Sequence, residues 1–275
     1  MHRPPDFLAI GHVAKDLTED SYVLGGAVTF AALTAKALGW NPAVVTSCGR
    51  DVDFGAVLPG IPVHVVRYME TTTFLNVYDL GRRRQLISGV AEKLSTSDVP
   101  NEWRMAPLVL LTPLAQELDY SMADIFRYQL VGVSTQGWLR TWDSSGNVLP
   151  CRWSGEEVLP KTDVAIFSDD DLNDEDQILN WADICPVVIH TKGRSGCSVY
   201  FDSVRHDIPA FPANEVDPTG AGDVFAASYL IRFQECGDAL EAARFASATA
   251  SFCVEAKGTL GIPTRTEVGK RLRTG

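Results

Sequence analysis

Short apolar runs alternate with longer stretches of mixed polarity along this chain. The runs at 7–10, 43–46, 108–111, 130–134, 163–167 and 187–190 show no polar alternation, as strands do when both faces of a parallel sheet are covered. Helix candidates lie between several of them, at 27–38 ending on Gly39, at 122–128 and at 174–182. Such a strand–helix–strand order predicts an α/β fold, a mainly parallel sheet with helices on both faces. Towards the end the pattern changes to two longer helical runs, 221–234 and 239–255, separated by Cys236-Gly237-Asp238. One region breaks the alternation. The β-rich stretches 63–66, 72–78 and 85–88, with Asp79-Leu80-Gly81 as a turn signal, predict a small antiparallel element. No internal repeat, low-complexity tract or linker forces a domain cut.

Composition narrows the function classes. The 275 residues are 45% hydrophobic, enough for a sizeable core, and the formal net charge of −11 argues against general affinity for nucleic acid or anionic membranes. No apolar stretch is long enough to span a bilayer, and Met1-His2-Arg3-Pro4-Pro5-Asp6 lacks a secretory apolar region, so a cytoplasmic enzyme is expected. Six scattered cysteines without a CxxC pair and five histidines without ligand spacing suggest neither a zinc site nor a disulfide frame.

The most informative chemistry lies in Val216-Asp217-Pro218-Thr219-Gly220-Ala221-Gly222-Asp223-Val224-Phe225. Two glycines let backbone N–H groups approach an anion, and the apolar run that follows starts a helix whose N-terminal N–H groups and dipole favour the same charge. Asp223 then falls in the first turn, beside a bound phosphoryl group. The plain alternative is a glycine-rich turn with an ordinary acidic helix start.

This string resembles the signature of the ribokinase-like, or pfkB, carbohydrate kinases, and the resemblance extends over nearly the whole chain. It implies a single ribokinase-like kinase domain over 1–275: a three-layer fold with a β lid formed by segments near 11–24 and 63–92. In that family the residue matching Asp223 is the base that takes the acceptor's proton, and those matching Gly220, Ala221 and Gly222 donate N–H groups to the transferred phosphate. Gly11 followed by Asp16 matches the family's sugar-binding acid, and Gly25-Gly26 its substrate-side glycine pair. Ser47-Cys48-Gly49-Arg50-Asp51 matches a structural turn. Thr191-Lys192-Gly193-Arg194-Ser195-Gly196 resembles the loop on ATP phosphates and ribose, Thr219 belongs to the anion loop, and Ser247 stands where the helix borders adenine. ATP and magnesium are the implied cofactors. Ser168-Asp169-Asp170-Asp171 takes the place of an Asn-x-x-Glu motif, which makes Asp171 the magnesium-site acid, or else part of a solvated acidic run over 169–176. A potassium ion beside Asp217 and Thr219 is a further expectation from the resemblance.

Departures from the pattern concern the acceptor. Phe30 stands four residues after Gly26, where many sugar kinases have Asn, and Gln136 follows the 130–134 strand. With Thr71-Thr72-Thr73-Phe74 these features are similar to the compact myo-inositol kinase branch. The expected activity is ATP-dependent phosphorylation of a hydroxyl on a small sugar or cyclitol, with Asp16, Gly25, Gly26, Phe30, Gln136 and Asp223 around the acceptor. The rivals are a nucleoside kinase of the same superfamily and a noncatalytic sugar or nucleotide sensor. Monomer and homodimer both remain open.

Overall fold

The computed structural model describes residues 4–18, 21–79 and 82–274. In chain order its strands are β1 (Phe7–Ile10), β2 (Ala14–Leu17), β3 (Tyr22–Gly25), β4 (Pro42–Cys48), β5 (Val63–Arg67), β6 (Thr72–Asp79), β7 (Arg82–Gly89), β8 (Leu108–Leu111), β9 (Leu130–Ser134), β10 (Arg140–Trp142), β11 (Val148–Pro150), β12 (Val164–Ser168), β13 (Val187–Thr191), β14 (Cys197–Phe201) and β15 (Val204–Ile208). The helices are α1 (Ala27–Ala37), α2 (Phe54–Val57), α3 (Glu175–Ile184), α4 (Ala221–Cys236), α5 (Ala239–Cys253) and α6 (Arg265–Thr274).

A nine-stranded sheet in the order β15-β14-β13-β12-β9-β8-β1-β4-β5 forms the middle layer, parallel from β13 to β5. Its two faces follow from the period of two along each strand. Phe7, Ala9, Val44, Leu108 and Leu110 point to the side covered by α1, α4 and α5. Leu8, Ile10, Val45, Val109 and Leu111 point to the other, where Met122, Trp138, Trp153 and Trp181 of α3 pack. Both faces are buried, so alternation disappears from the sequence. Helix α4 packs over β8, β9 and β12 beside α5, which covers β14 and β15, and it buries every residue from Val224 to Ile231. It ends at Gly237, and Asp238 caps α5 by accepting the N–H groups of Leu240 and Glu241, at 2.9 and 3.0 Å. A cap of this kind contributes about 1 kcal/mol.

A second sheet, β3-β2-β6-β7, stands beyond the C-terminal ends of β1 and β4. Its root is tied to the body. His12 is fully buried, with Nδ1 2.7 Å from Thr72 Oγ1 and Nε2 2.8 Å from the carbonyl of Glu92. Asp51 accepts the Lys15 ammonium and the Thr71 hydroxyl, and these hydrogen bonds, Lys15 first, hold its carboxyl below the usual range.

The fold differs from the sequence expectation in three places. Residues 63–66 do not join the small sheet; as β5 they pair in parallel with β4 at the edge of the central one. A half-buried β-branched run fits either partner, and α2 with the turn behind it delivers this one to β4. The expected helix at 122–128 is a 3₁₀ segment, Tyr120–Ile125, short enough to carry Met122 and Ala123 into the core. The hairpins β10–β11 and β14–β15 and helix α6 were not foreseen. Leu80 and Gly81 of the expected Asp79-Leu80-Gly81 turn lie outside the described residues.

Candidate active site

Loops at the C-terminal ends of parallel strands are where ligands bind in open α/β sheets, and Asp16, Gly25, Phe30, Gln136, Asp171, Gly220 and Asp223 come together there. Asp223 sits in the first turn of α4, behind Gly220, which takes a left-handed conformation at φ 80° as the N-cap. Asp223 is half-buried, and the surrounding protein strips much of the hydration from its carboxyl. That desolvation pushes its carboxyl up to about 7. Arg140 opposes the rise, while Asp171 and Asp16 reinforce it, so three carboxylates and one guanidinium share a single electrostatic neighbourhood.

Each neighbour reaches this place from a different element. Asp16 lies on β2, opposite Phe74 across the second sheet, and close to Gly25. Asp171 follows β12, and its side chain is only 4% exposed. Its oxygens accept the Ser168 hydroxyl at 2.7 Å and the Gln136 amide at 3.4 Å, and Arg140 Nη2 lies 3.5 Å away. Gly26 caps α1, and Phe30 one turn later is buried at 3% exposure, with its ring beneath Gly220.

The 217–222 loop is more committed than its sequence suggests. The Ala221 N–H closes a turn on the carbonyl of Pro218 at 3.2 Å, whereas Gly222 is exposed at the helix start. Asp217 accepts N–H groups from Thr219 and Gly258, each at 3.0 Å. Burial works to raise its carboxyl, but these bonds and Lys257 outweigh it and leave the group below the usual range.

On the other side of the loop, Thr191 ends β13 and donates its hydroxyl to the carbonyl of Phe167 at 3.1 Å. Gly193 lies in a 3₁₀ turn closed by Gly196. Lys192 is bound to Ser198 and lies near Asp207, while the exposed Arg194 pairs with Glu215 at 3.1 Å. Ser247 donates to the carbonyl of Pro209 at 3.3 Å. Next to it a cavity of about 410 Å³ opens between residues 208–212 and Leu240, Glu241 and Arg244 of α5.

Two residues escaped the sequence reading. Arg140 carries no motif of its own and stands four residues after Gln136. Glu117 had no signal, yet it is 1% exposed and takes N–H groups from His12, Leu114 and Ala115 at the mouth of β1 and β8. No group of three or more His, Cys, Asp or Glu among the described residues could hold a metal ion. Asp171 is already engaged by Ser168, Gln136 and Arg140. These residues therefore do not form a magnesium cage; an ion here would keep its waters and arrive with donor phosphates, as magnesium commonly does.

Layer order, second sheet and acidic pocket together define a ribokinase-like α/β fold. Residues 143–265 match the model of the pfkB family carbohydrate kinases. The chain is similar to Fructokinase-2 of Oryza sativa subsp. japonica, 32% identical over 123 residues, which are 41% of this chain and 37% of that one. It is also similar to a nucleoside kinase of Methanothermobacter thermautotrophicus, 44% identical over 86 residues, 31% of this chain and 28% of the relative. The aligned regions thus span less than two fifths of either relative. Among solved structures, a pyrophosphate-dependent kinase in the ribokinase family, complexed with a pyrophosphate analog and myo-inositol, shares the fold at a TM-score of 0.80 and 22% identity, covering 96% of this chain and 99% of that one.

Proposed function

We propose that this protein transfers the γ-phosphoryl group of ATP to a hydroxyl of a small sugar or cyclitol, with myo-inositol as the preferred acceptor. The observation that carries this reading is the position of Asp223, a desolvated carboxyl with a pKa of about 7 in the first turn of α4, directly behind the 220–222 loop. A base of that strength is suited to a neutral-pH proton transfer. The second sheet serves as the lid. Asp16 orients the acceptor hydroxyls from the lid side, Gly25 and Gly26 give close approach, Gln136 lines the far wall and Phe30 supports the floor. As the acceptor oxygen attacks the γ-phosphorus, its proton passes to Asp223 and the bond to the β-phosphate oxygen breaks. The products are the phosphorylated alcohol, ADP and a proton released from Asp223.

On the donor side, the start of α4 at Gly220 and Gly222 faces the phosphates, where partial positive charge at a helix N-terminus and nearby N–H groups stabilise developing negative charge. Thr191, Gly193, Gly196 and Thr219 flank the phosphate path. Asp171 would hold a magnesium ion through that ion's bound water, and the ion would neutralise charge on the donor phosphates. Asp217 holds the loop through its two N–H bonds, and we assign it the side of the loop where potassium would act.

Beside Ser247, the cavity lined by residues 208–212 and Arg244 offers room for the nucleobase of a nucleotide donor. The second reading is a nucleoside acceptor, favoured by the 44% identity to a nucleoside kinase. The test is direct: the purified protein is given myo-inositol, fructose, ribose or adenosine, each with ATP or pyrophosphate, and phosphorylated product is measured. ATP with myo-inositol is expected to give the highest kcat/KM. No product from any pair overturns the kinase reading.

A further inference from the structure

After β9 the chain makes an excursion that fastens the lid to the body. From Gln136 it passes Arg140 and forms the β10–β11 hairpin, whose tip pairs with lid strand β7. The Ile87 N–H donates to the carbonyl of Gly146 at 2.8 Å, Leu86 and Asn147 form an antiparallel bridge, and Arg84 donates to the side-chain oxygen of Asn147. Gly146 has φ 80°, and a Cβ there would lie 2.4 Å from the Ile87 carbonyl, so only glycine allows this approach. Below the tip, Trp142 and Val148 pack on the cluster that contains Phe74 and Ile87.

Arg140 stands at the root of the hairpin and reaches both halves of the molecule. Its Nη1 donates to Gln85 Oε1 on β7 at 3.3 Å, and its Nη2 lies 3.5 Å from Asp171 Oδ1 at the end of β12. A buried carboxylate such as Asp171 needs a cationic partner, and a planar guanidinium can serve two acceptors at once where an ammonium serves one direction at a time. We propose that Arg140 is a positioning residue for the transfer, a latch whose two arms on Gln85 and Asp171 hold the lid over the acceptor and keep its positive charge facing Asp223. The proposal rests on the reading of Asp223 as the base. The charged groups acting on Asp223 are Arg140, Asp171 and Asp16, and Arg140 is the one that lowers its pKa. Loss of the latch would admit water, which competes with the acceptor for the phosphoryl group.

Three variants separate these roles. Gln85→Leu removes the lid arm and is expected to raise the acceptor KM about 5- to 10-fold with kcat within about threefold, while acceptor-independent ATP hydrolysis rises relative to transfer. Arg140→Lys is expected to show the same loss of coupling but to keep the acidic limb of the kcat/KM profile, because the charge remains. Arg140→Gln should move that limb upward by about one pH unit or more, since Asp223 loses its cation. Amide hydrogen exchange of Ile87 and its β7 neighbours, which needs no turnover, should quicken severalfold in Arg140→Gln and Gln85→Leu. Unchanged exchange in both variants, unchanged coupling in Gln85→Leu, or an unmoved limb in Arg140→Gln overturns the latch. Failure of the kinase reading shows differently, as a wild-type protein that makes no phosphorylated product while the exchange result still decides the latch.

Discussion

The ring of Phe30 fills the space directly beneath Gly220: a Cβ built on Gly220 would come within 2.2 Å of Phe30 Cε1. This contact ties α1 to the start of α4, and in the proposed function it couples the acceptor side of the pocket to the phosphate-binding loop. It also requires glycine twice over, through space and through a φ of 80°. Gly220→Ala should destabilise the protein by about 1–3 kcal/mol and lower kcat/KM at least about 100-fold, as the loop shifts away from the phosphate. Combining it with Phe30→Leu should recover part of the melting temperature but little activity, because the backbone strain remains. Thermal melts and steady-state rates of the two variants check this, and a single variant with wild-type kinetics would refute it.

Asp223 couples activity to stability. Its carboxyl is raised to about 7, chiefly by desolvation, so the folded protein holds this proton at pH values where the unfolded chain has released it. Stability from this group is therefore complete below the ordinary carboxylate range and is lost as pH rises through about 7. Asp223→Asn cannot lose that contribution. It should melt near the wild-type temperature at about pH 4 and above it at about pH 8, while kcat falls at least about 100-fold and ATP affinity stays within severalfold. Melting curves at both pH values and a kcat comparison test the pair of effects. Near-normal turnover would remove Asp223 from the role of base.

The parts legible in the sequence were those dictated by local pattern. The central strands could be read because burial on both faces leaves unbroken apolar runs such as Leu108–Leu111, and α1 and α4 because Gly39 and Gly237 mark where they stop. The β14–β15 hairpin was missed because its turn uses Asp202 and Ser203 at φ 50° and 61° in place of glycine. Val63–Arg67 had the right conformation but an unreadable partner, since alternation says nothing about which sheet a strand joins. The same limit applies at the site. Asp16, Asp171 and Asp223 stood in recognisable strings, whereas Arg140 and Glu117 acquire their places only from elements brought together by folding.

Asp171 and Asp169 provide a graded test of the acidic run. Asp171 is bound by Ser168, Gln136 and Arg140, while Asp169 is exposed two residues earlier. If Asp171 stands behind the donor's magnesium shell, Asp171→Ala should raise the magnesium concentration for half-maximal rate about 5-fold or more, and Asp169→Ala less than about twofold. A magnesium titration at fixed ATP distinguishes them. An equal response would mean that the run acts only as a diffuse surface charge.

Acceptor choice follows from what the pocket offers. A cyclitol presents a closed ring of secondary hydroxyls and has no flexible exocyclic arm. Asp16 can accept from two adjacent hydroxyls at once, beside the bare backbone of Gly25 and above the apolar support of Phe30. An analogue lacking one of those hydroxyls forfeits a charge-assisted hydrogen bond and should have a lower kcat/KM. The expected order of kcat/KM is myo-inositol above ribose, fructose and adenosine, with Asp16→Ala lowering the myo-inositol value at least about 100-fold. The decisive measurement is a side-by-side assay of the four acceptors with the wild type and the variant. A higher value for ribose, fructose or adenosine would reassign the acceptor while leaving the roles proposed for Asp223 and the 220–222 loop intact, because those roles concern the phosphoryl group and the attacking oxygen that every acceptor shares.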